Sequence, residues 1–162
     1  MNIFQNLQKP LPFQCNFPEW ETTLSDLTNQ DGRWISCLGP LDSKNIRHTG
    51  LDIYLVEKSG LPHQESLKSY LQFTYENETI GTILKLEHAT RSVGGISAPE
   101  IKLHLHRVFA GQMGPMQIDL VKQWTVIPYQ NYFVTIIFES VQLEYEKYVE
   151  VYETCIQSWK FL

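Results

Sequence analysis

The chain is poor in charged residues. Asp, Glu, Lys and Arg make up 19% of the sequence, below the roughly 25% that is usual in soluble domains. Basic residues number 13 against 18 acidic ones, which leaves a net charge of −5. Nucleic-acid binders need clustered Lys and Arg to offset phosphate charge, so this balance argues against that class. Intrinsic disorder is excluded as well, because aromatic residues are plentiful at 12%.

Cysteine and long apolar runs are also scarce. The three cysteines, Cys15, Cys37 and Cys155, are far apart and form no C-x-x-C pair. This pattern predicts buried thiols in a reducing compartment rather than a disulfide framework. No apolar run approaches the ~20 residues that span a bilayer, and the amino terminus lacks a signal-peptide pattern. We therefore expect one cytoplasmic domain, residues 1–162, that does not insert into membranes.

Apolar runs of strand length are abundant, and turn-forming residues separate them. Tyr132–Phe138 is apolar on both faces, which predicts a central strand covered on both sides. Connections as short as Gly94-Gly95 predict antiparallel pairing of successive strands. Glu19–Gly32 favours neither helix nor strand. An edge strand is predicted at Leu11–Phe17, and further strands at Arg33–Leu38, Leu51–Glu57, Thr82–Ser92, Ile101–Phe109, Gln117–Ile127 and Tyr132–Glu139.

Two segments have the periodicity of amphipathic helices. The first begins at Pro62 and ends near Asn77. The second begins near Ser140, a good N-cap residue, and reaches Lys160. We expect an α+β fold in which an antiparallel sheet of about six or seven strands carries helices on both faces. The apolar stripe of the second helix consists of Tyr145, Val149, Tyr152, Ile156 and Trp159.

Most catalytic motifs are missing from the sequence. Three histidines suggest a metal site. His104 and His106 lie two apart on a predicted strand, so both rings point to one face. If the preceding hairpin is centred near Ile96, His88 lies opposite His104, and three imidazoles converge as zinc ligands. Lys102 lies in the same row and opposes metal binding. We therefore expect no metal or cofactor and assign no catalytic residue, while a metal-dependent enzyme using these histidines stays open.

Aromatic and basic residues on the strands supply a candidate binding surface. Trp124 shares a strand face with Lys122, and Tyr129 lies in a turn, where an aromatic side chain can meet a partner. The alternative is that these aromatics belong to the core, which is the commoner location for alternating strand positions. The residues predicted to bind a partner are Trp124, Tyr129, Lys122, His104 and His106.

Several motifs of the carboxyl-terminal half occur together in one known family. They are Ser92–Ala98, Lys122–Ile127, Tyr132–Phe138 and the closing Ile156–Phe161. With these motifs the chain resembles the PsbP-like superfamily, which includes the photosystem II extrinsic subunit, Ran-binding Mog-type proteins and chaperones of type VI secretion effectors. The resemblance covers roughly residues 60–162, and Phe13–Trp20 is similar to the family's opening strand. It implies an α/β/α sandwich around an antiparallel sheet, and a non-catalytic protein-binding activity.

Three functions follow from these observations. We expect a cytoplasmic protein-binding or chaperone-like module that is not an enzyme. The first alternative is a small-ligand carrier with an apolar cavity under the C-terminal helix, which needs a cavity of roughly 300 Å³ or more. The second is the metal-dependent enzyme. The sequence leaves the partner and the oligomeric state open.

Overall fold

The computed structural model describes residues 11–27, 32–42, 45–58 and 67–162. Its two helices are α1 (Leu67–Glu78) and α2 (Tyr145–Ser158), and a 3-10 turn at Gln142–Glu144 leads into α2. The strands are β1 (Phe13–Gln14), β2 (Glu21–Asp26), β3 (Gly32–Leu38), β4 (Gly50–Glu57), β5 (Thr82–Val93), β6 (Ile96–Gly111), β7 (Gly114–Tyr129), β8 (Tyr132–Val141) and β9 (Lys160–Phe161).

Seven strands form one antiparallel sheet in the order β2-β3-β4-β8-β7-β6-β5. The predicted α+β class with an antiparallel sheet is therefore confirmed. The apolar strand β8 lies fourth of the seven, so its predicted central position is confirmed too. Strands β5 to β8 form a meander of consecutive hairpins, in which β6 and β7 have 16 residues each. The two edges of this sheet are β2 and β5.

Buried side chains form two clusters, and strand β7 contributes to both because alternate residues point to opposite faces. Val121 and Ile127 belong to the cluster that contains Tyr152 of α2. Leu120 and Val126 belong to the cluster that contains Tyr70 and Leu71 of α1. Apolar residues at alternate positions of the long strands therefore pack each helix against the sheet.

A second, two-stranded sheet joins the two ends of the described chain. Strand β1 pairs with β9 through Phe13 opposite Phe161, and the ring of Phe13 stacks on Trp159 at 4.2 Å between centroids. The predicted edge strand at Leu11–Phe17 is thus reduced to two residues outside the main sheet. The sheet edge is β2 instead, within the Glu19–Gly32 segment for which the sequence was indecisive.

The second helix begins five residues later than predicted. Ser140 is a residue of β8 and is fully buried, and the ladder with β7 continues to Val141 opposite Leu120. The Ser140 hydroxyl lies 3.3 Å from the Thr49 hydroxyl, so it does not cap a helix. Lys160, predicted at the helix end, lies in β9. The predicted helix start at Pro62 lies outside the described residues.

Candidate partner-binding site

The three histidines do not converge. His88 pairs with Ile101 and His104 pairs with Lys85 across the β5–β6 ladder. Directly opposite residues share a face, and Ile101 is buried in the cluster of α1, so His88 and His104 lie on opposite faces. Within the described ranges, no group of three or more His, Cys, Asp or Glu side chains could hold a metal ion. The hypothesis of a His88/His104/His106 site is therefore wrong.

The hairpin turn explains the error. Its two loop residues are Gly94 and Gly95, both with positive φ (56° and 83°), so Val93 closes the ladder opposite Ile96. The hairpin is thus centred between the two glycines and not near Ile96. Moving the centre changes the partner of His104 by three residues along β5, an odd number, and an odd shift transfers a side chain to the other face.

His104 and His106 instead pair with carboxylates. His104 Nε2 lies 3.4 Å from Glu87 Oε2, and His106 Nδ1 lies 2.8 Å from Asp119 Oδ1. Each carboxylate lies on a strand that neighbours its histidine, so no spacing along the chain connects the two. The pKa of Glu87 is lowered, mainly by the hydrogen bond and the charge of Lys85 and to a smaller extent by the hydrogen bond from His104. These pairs form a polar row that is partly open to solvent.

Trp124 is a core residue and not part of a binding surface. It is 1% exposed and packs in the cluster of α1, so a partner cannot touch its ring in this conformation. Lys122 lies on the same strand face, as predicted, with its Nζ 5.9 Å from the Trp124 ring centroid. Its ammonium is engaged at 2.6 Å by the Glu139 carboxylate. The alternative that this aromatic position belongs to the core is therefore the correct one.

Tyr129 lies at the end of β7 beside the carboxyl terminus of the chain. Its ring stacks on Phe161 at 4.0 Å between centroids, and its hydroxyl donates to the Leu162 carbonyl at 3.0 Å. Phe161 also pairs with Phe13 in the small sheet. These contacts indicate that Tyr129 helps to hold the two-stranded sheet against the β7–β8 hairpin. Whether it also meets a partner stays a prediction.

A group of exposed apolar side chains lies on edge strand β5, which the sequence did not single out. Along β5 every residue from Thr82 to Thr90 is exposed. Three large aliphatic side chains are among them: Ile83 (41% exposed), Leu84 (62%) and Leu86 (36%). A register irregularity between Ile83 and Lys85 marks a bulge, a feature common at sheet edges. We call Ile83–Glu87 the β5 edge surface.

The β5 edge surface is apolar on one face and charged on the other. Leu86 lies opposite Leu103, a residue buried in the cluster of α1. Lys85 and Glu87 project to the other face, where the Lys85 Nζ lies 3.0 Å from Glu87 Oε1. His104 extends this charged face onto β6. The edge thus offers an aliphatic strip and an ordered pair of opposite charges side by side.

A buried polar cluster connects α2 to the sheet near this edge. Glu100 is 5% exposed and accepts hydrogen bonds from Tyr152 at 2.5 Å and from Thr125 at 2.9 Å. Arg91 Nε lies 2.6 Å from the same carboxylate, and its two terminal nitrogens lie 2.7 Å from Glu153 of α2. Burial, followed by the Glu100 carboxylate, raises the pKa of Tyr152. These contacts connect α2 to strands β5, β6 and β7.

A cleft opens beside the 3-10 turn, with a volume of about 390 Å³. It does not lie under α2, where the carrier hypothesis expected a cavity. Tyr152 and Cys155 of α2 are fully buried against the sheet instead. The cleft lies beside the β6–β7 hairpin and is lined by Asp42, Ile46, His48, Phe109, Met116, Gln117, Ile118, Val141, Leu143 and Glu144.

Comparison with known proteins connects this chain to others through structure alone. No protein-family model matches it, and no curated protein matches its sequence. LpqN of Mycobacterium tuberculosis, described as involved in cell envelope biogenesis, is similar with a TM-score of 0.57 at 14% identity, over 91% of this chain and 82% of LpqN. PA94 of Pseudomonas aeruginosa, a protein of unknown function, has a TM-score of 0.55 at 12% identity, over 85% and 94%.

Cyanobacterial PsbP of Synechocystis sp. PCC 6803 is similar as well, with a TM-score of 0.52 at 10% identity over 93% of this chain and 87% of that one. The chain therefore has the PsbP-like fold, and the resemblance inferred from its motifs is confirmed at the level of fold. At these identities the likeness concerns architecture alone. Within the ranges that the structure describes, neither helix is long and apolar enough to cross a membrane.

Proposed function

We propose that the chain is a non-catalytic protein-binding module whose contact surface is the β5 edge surface. The observation that carries this proposal is an edge strand whose residues from Thr82 to Thr90 are all exposed, with three large aliphatic side chains among them. Exposed strand edges pair readily with another chain unless something covers them. We further infer that α1 and α2 cover opposite faces of the sheet, because alternate residues of β7 pack with each, which leaves this edge as a route of access.

Strand addition is the binding mode that this edge supports. Val93 and Ile96 close a two-residue hairpin loop, and the closing pair of such a loop is hydrogen-bonded. Counting back from Val93, the odd-numbered residues bond to β6, whereas Leu86 and His88 direct their N–H and C=O groups away from the sheet. A partner strand would pair with these outward groups and cover the aliphatic strip.

The charges of the edge define the chemistry of the partner. An antiparallel strand that places an acidic residue opposite Lys85 and a basic residue opposite Glu87 gains two cross-strand ion pairs. An apolar residue between them would lie opposite Leu86. The occupant we propose is therefore an extended segment of another protein with the order basic, apolar, acidic. A second copy of this chain carries the same order at Lys85-Leu86-Glu87. The test must therefore distinguish self-association from binding to another protein.

The comparisons agree with the fold on which this proposal rests and identify no partner. LpqN is described as involved in cell envelope biogenesis, and cyanobacterial PsbP shares the architecture. The chaperone-like role and the cytoplasmic location remain our predictions. The first follows from the superfamily resemblance, and the second follows from the cysteine pattern.

Capture followed by titration tests the proposal. Wild type, Leu86→Lys and Ser25→Lys are immobilised and incubated with extract of the native cell, and the captured protein is then purified and titrated by calorimetry. Ser25 is exposed on β2, the other edge of the same sheet, and provides the matched control. We expect Leu86→Lys to bind at least ~10-fold more weakly, since a desolvated ammonium costs more than 1.4 kcal/mol. Circular dichroism confirms that each variant folds.

Two outcomes would overturn this proposal. A captured protein that binds all three variants with equal affinity would show that the edge is not the contact surface. Sedimentation that reveals a dimer of the wild type, absent in Leu86→Lys, with no other partner captured, would replace the proposed partner with a second copy.

The cleft supports a second candidate function, the binding of a small apolar molecule. Its volume of about 390 Å³ lies within the roughly 300–1,000 Å³ range of ligand pockets. Fluorescence titration with the neutral dye Nile red tests it, using Met116→Lys inside the cleft. Met113→Lys is the control, because Met113 is fully exposed in the neighbouring loop. Saturable binding to wild type and control alone supports a carrier, and unsaturable binding to the wild type excludes it.

A further inference from the structure

Two cysteines that the sequence treats as unrelated lie side by side. Cys15 Sγ and Cys155 Sγ are 3.6 Å apart although 140 residues separate them in the chain. Cys155 is fully buried on α2, whereas Cys15 follows β1 and is partly open to solvent. The third thiol, Cys37, is buried on β3 and accepts a 3.5 Å hydrogen bond from the Thr22 hydroxyl.

The chain on both sides of Cys15 is attached to the end of α2. Before it, the Phe13 ring stacks on Trp159 at 4.2 Å between centroids. After it, the Asn16 amide donates to the Ser158 hydroxyl at 2.8 Å, and that hydroxyl donates to the Cys155 carbonyl at 3.2 Å. The two sulfurs are therefore held next to each other by contacts that do not involve the sulfurs themselves.

We propose that Cys15 and Cys155 form a reversible disulfide that locks the amino-terminal strand to α2. A disulfide bond is about 2.05 Å long, so the sulfurs must approach by about 1.5 Å. The flanking contacts bring the backbones together beforehand, which leaves this approach to the side chains.

Glutathione disulfide is a suitable oxidant, and the reaction proceeds in two exchange steps. The Cys15 thiolate attacks one glutathione sulfur, forming a mixed disulfide and releasing glutathione thiolate, which takes up the proton that Cys15 lost. The Cys155 thiolate then attacks Cys15 Sγ and displaces the second glutathione. Two protein thiols are oxidised, one glutathione disulfide is reduced to two glutathione molecules, and the two thiol protons end on them.

Cys15 is the entry point because it is the partly exposed member of the pair. Its contact with Cys155 and its burial raise its pKa, so little thiolate exists at neutral pH and the first step is slow. The rate should therefore increase with pH. Cys37 is fully buried, and burial raises its pKa to about 11, so it should remain reduced.

Thiol titration and peptide mapping test the proposal. The reduced full-length protein is incubated with glutathione disulfide at pH 8 and the oxidant is removed by gel filtration. The remaining thiols are then counted with Ellman's reagent in guanidinium chloride, because Cys37 and Cys155 are buried in the folded protein. Two of the three thiols should disappear, and digestion should yield one cross-linked peptide that joins Cys15 to Cys155. Cys155→Ala should stop at a glutathione adduct on Cys15, whereas Cys37→Ser should form the bond as the wild type does.

Formation of the bond should also raise the melting temperature. It closes a loop of about 140 residues, and loops of that size predict an increase on the order of 10 °C that dithiothreitol reverses. The proposal is overturned if the native protein keeps three titratable thiols under oxidant. It is equally overturned if the cross-link joins Cys37, or if Cys155→Ala still loses two thiols.

Discussion

Replacing Arg91 with methionine tests whether the buried polar cluster holds α2 against the sheet. The guanidinium lies 2.6 Å from the Glu100 carboxylate and 2.7 Å from two oxygens of Glu153 on α2. Glu100 is 5% exposed, so water cannot take over the role of the guanidinium. Methionine preserves most of the volume of the side chain and removes its charge, which leaves a buried carboxylate without its cation.

The expected loss of unfolding free energy depends on the burial of Glu100 and on the hydrogen-bond donors that it keeps when Arg91 is replaced. Removing one partner of a buried ion pair costs about 3–5 kcal/mol. Thr125 and Tyr152 still donate hydrogen bonds to Glu100, and Arg91 itself is 24% exposed, so the loss should be smaller. We expect about 2–3 kcal/mol. For a chain of this length each kcal/mol lowers the melting temperature by about 3 °C, which gives a decrease of about 6–9 °C.

Urea unfolding followed by circular dichroism measures this loss. Lys85→Met is the matched control, because it removes an exposed cation from the same strand; it should change stability by less than about 0.5 kcal/mol. Combining Arg91→Met with Glu100→Gln should cost about 1 kcal/mol less than the sum of the single losses. An Arg91→Met protein as stable as the control, or strictly additive losses, would refute the assignment of Arg91 to Glu100.

Two further predictions concern the β5–β6 turn and α2. Gly94 and Gly95 both have positive φ, but only at Gly94 would an added Cβ meet a ring, that of Phe161 at 2.9 Å. Gly94→Ala should therefore lower the free energy of unfolding in urea by about 1–2 kcal/mol more than Gly95→Ala does. Equal losses would contradict this. Burial raises the pKa of Tyr145 from its ordinary value of 10 to about 12, so the unfolded state ionises first and wild-type stability decreases between those pH values. The stability of Tyr145→Phe should decrease less steeply than that of the wild type from pH 10 to pH 12. Parallel stability curves for the two proteins would argue against this prediction.

Local patterns were sufficient to predict the centre of the fold. A run of seven residues that is apolar on both faces belongs in the middle of a covered sheet, and Tyr132–Phe138 lies there. Glycine at two successive loop positions predicts a tight hairpin, and Gly94-Gly95 forms one. These features depend on interactions between neighbours in the chain. The sequence contains that information directly.

The edges of the sheet were harder to predict because an edge is a property of the assembly. Strand β2 reads Glu-Thr-Thr-Leu-Ser-Asp and has no buried residue, so it has no apolar face to recognise. Strand β5 is difficult to recognise as an edge for the opposite reason. Ile83, Leu84 and Leu86 resemble the residues of an inner strand, and only the strand order leaves them exposed. The candidate site therefore could not be located from the sequence.

The metal hypothesis shows how far a single turn determines a site. In the β5–β6 ladder the numbers of paired residues sum to 189 from Val93 and Ile96 back to Lys85 and His104, whereas a hairpin centred on Ile96 gives 192. Because the difference is odd, every cross-strand neighbour changes face. The same difference removes His88 from the His104 face and brings Glu87 within 3.4 Å of His104. A shift that separates the proposed ligands therefore also creates the charged face of the β5 edge, so both consequences depend on the two glycines of the turn.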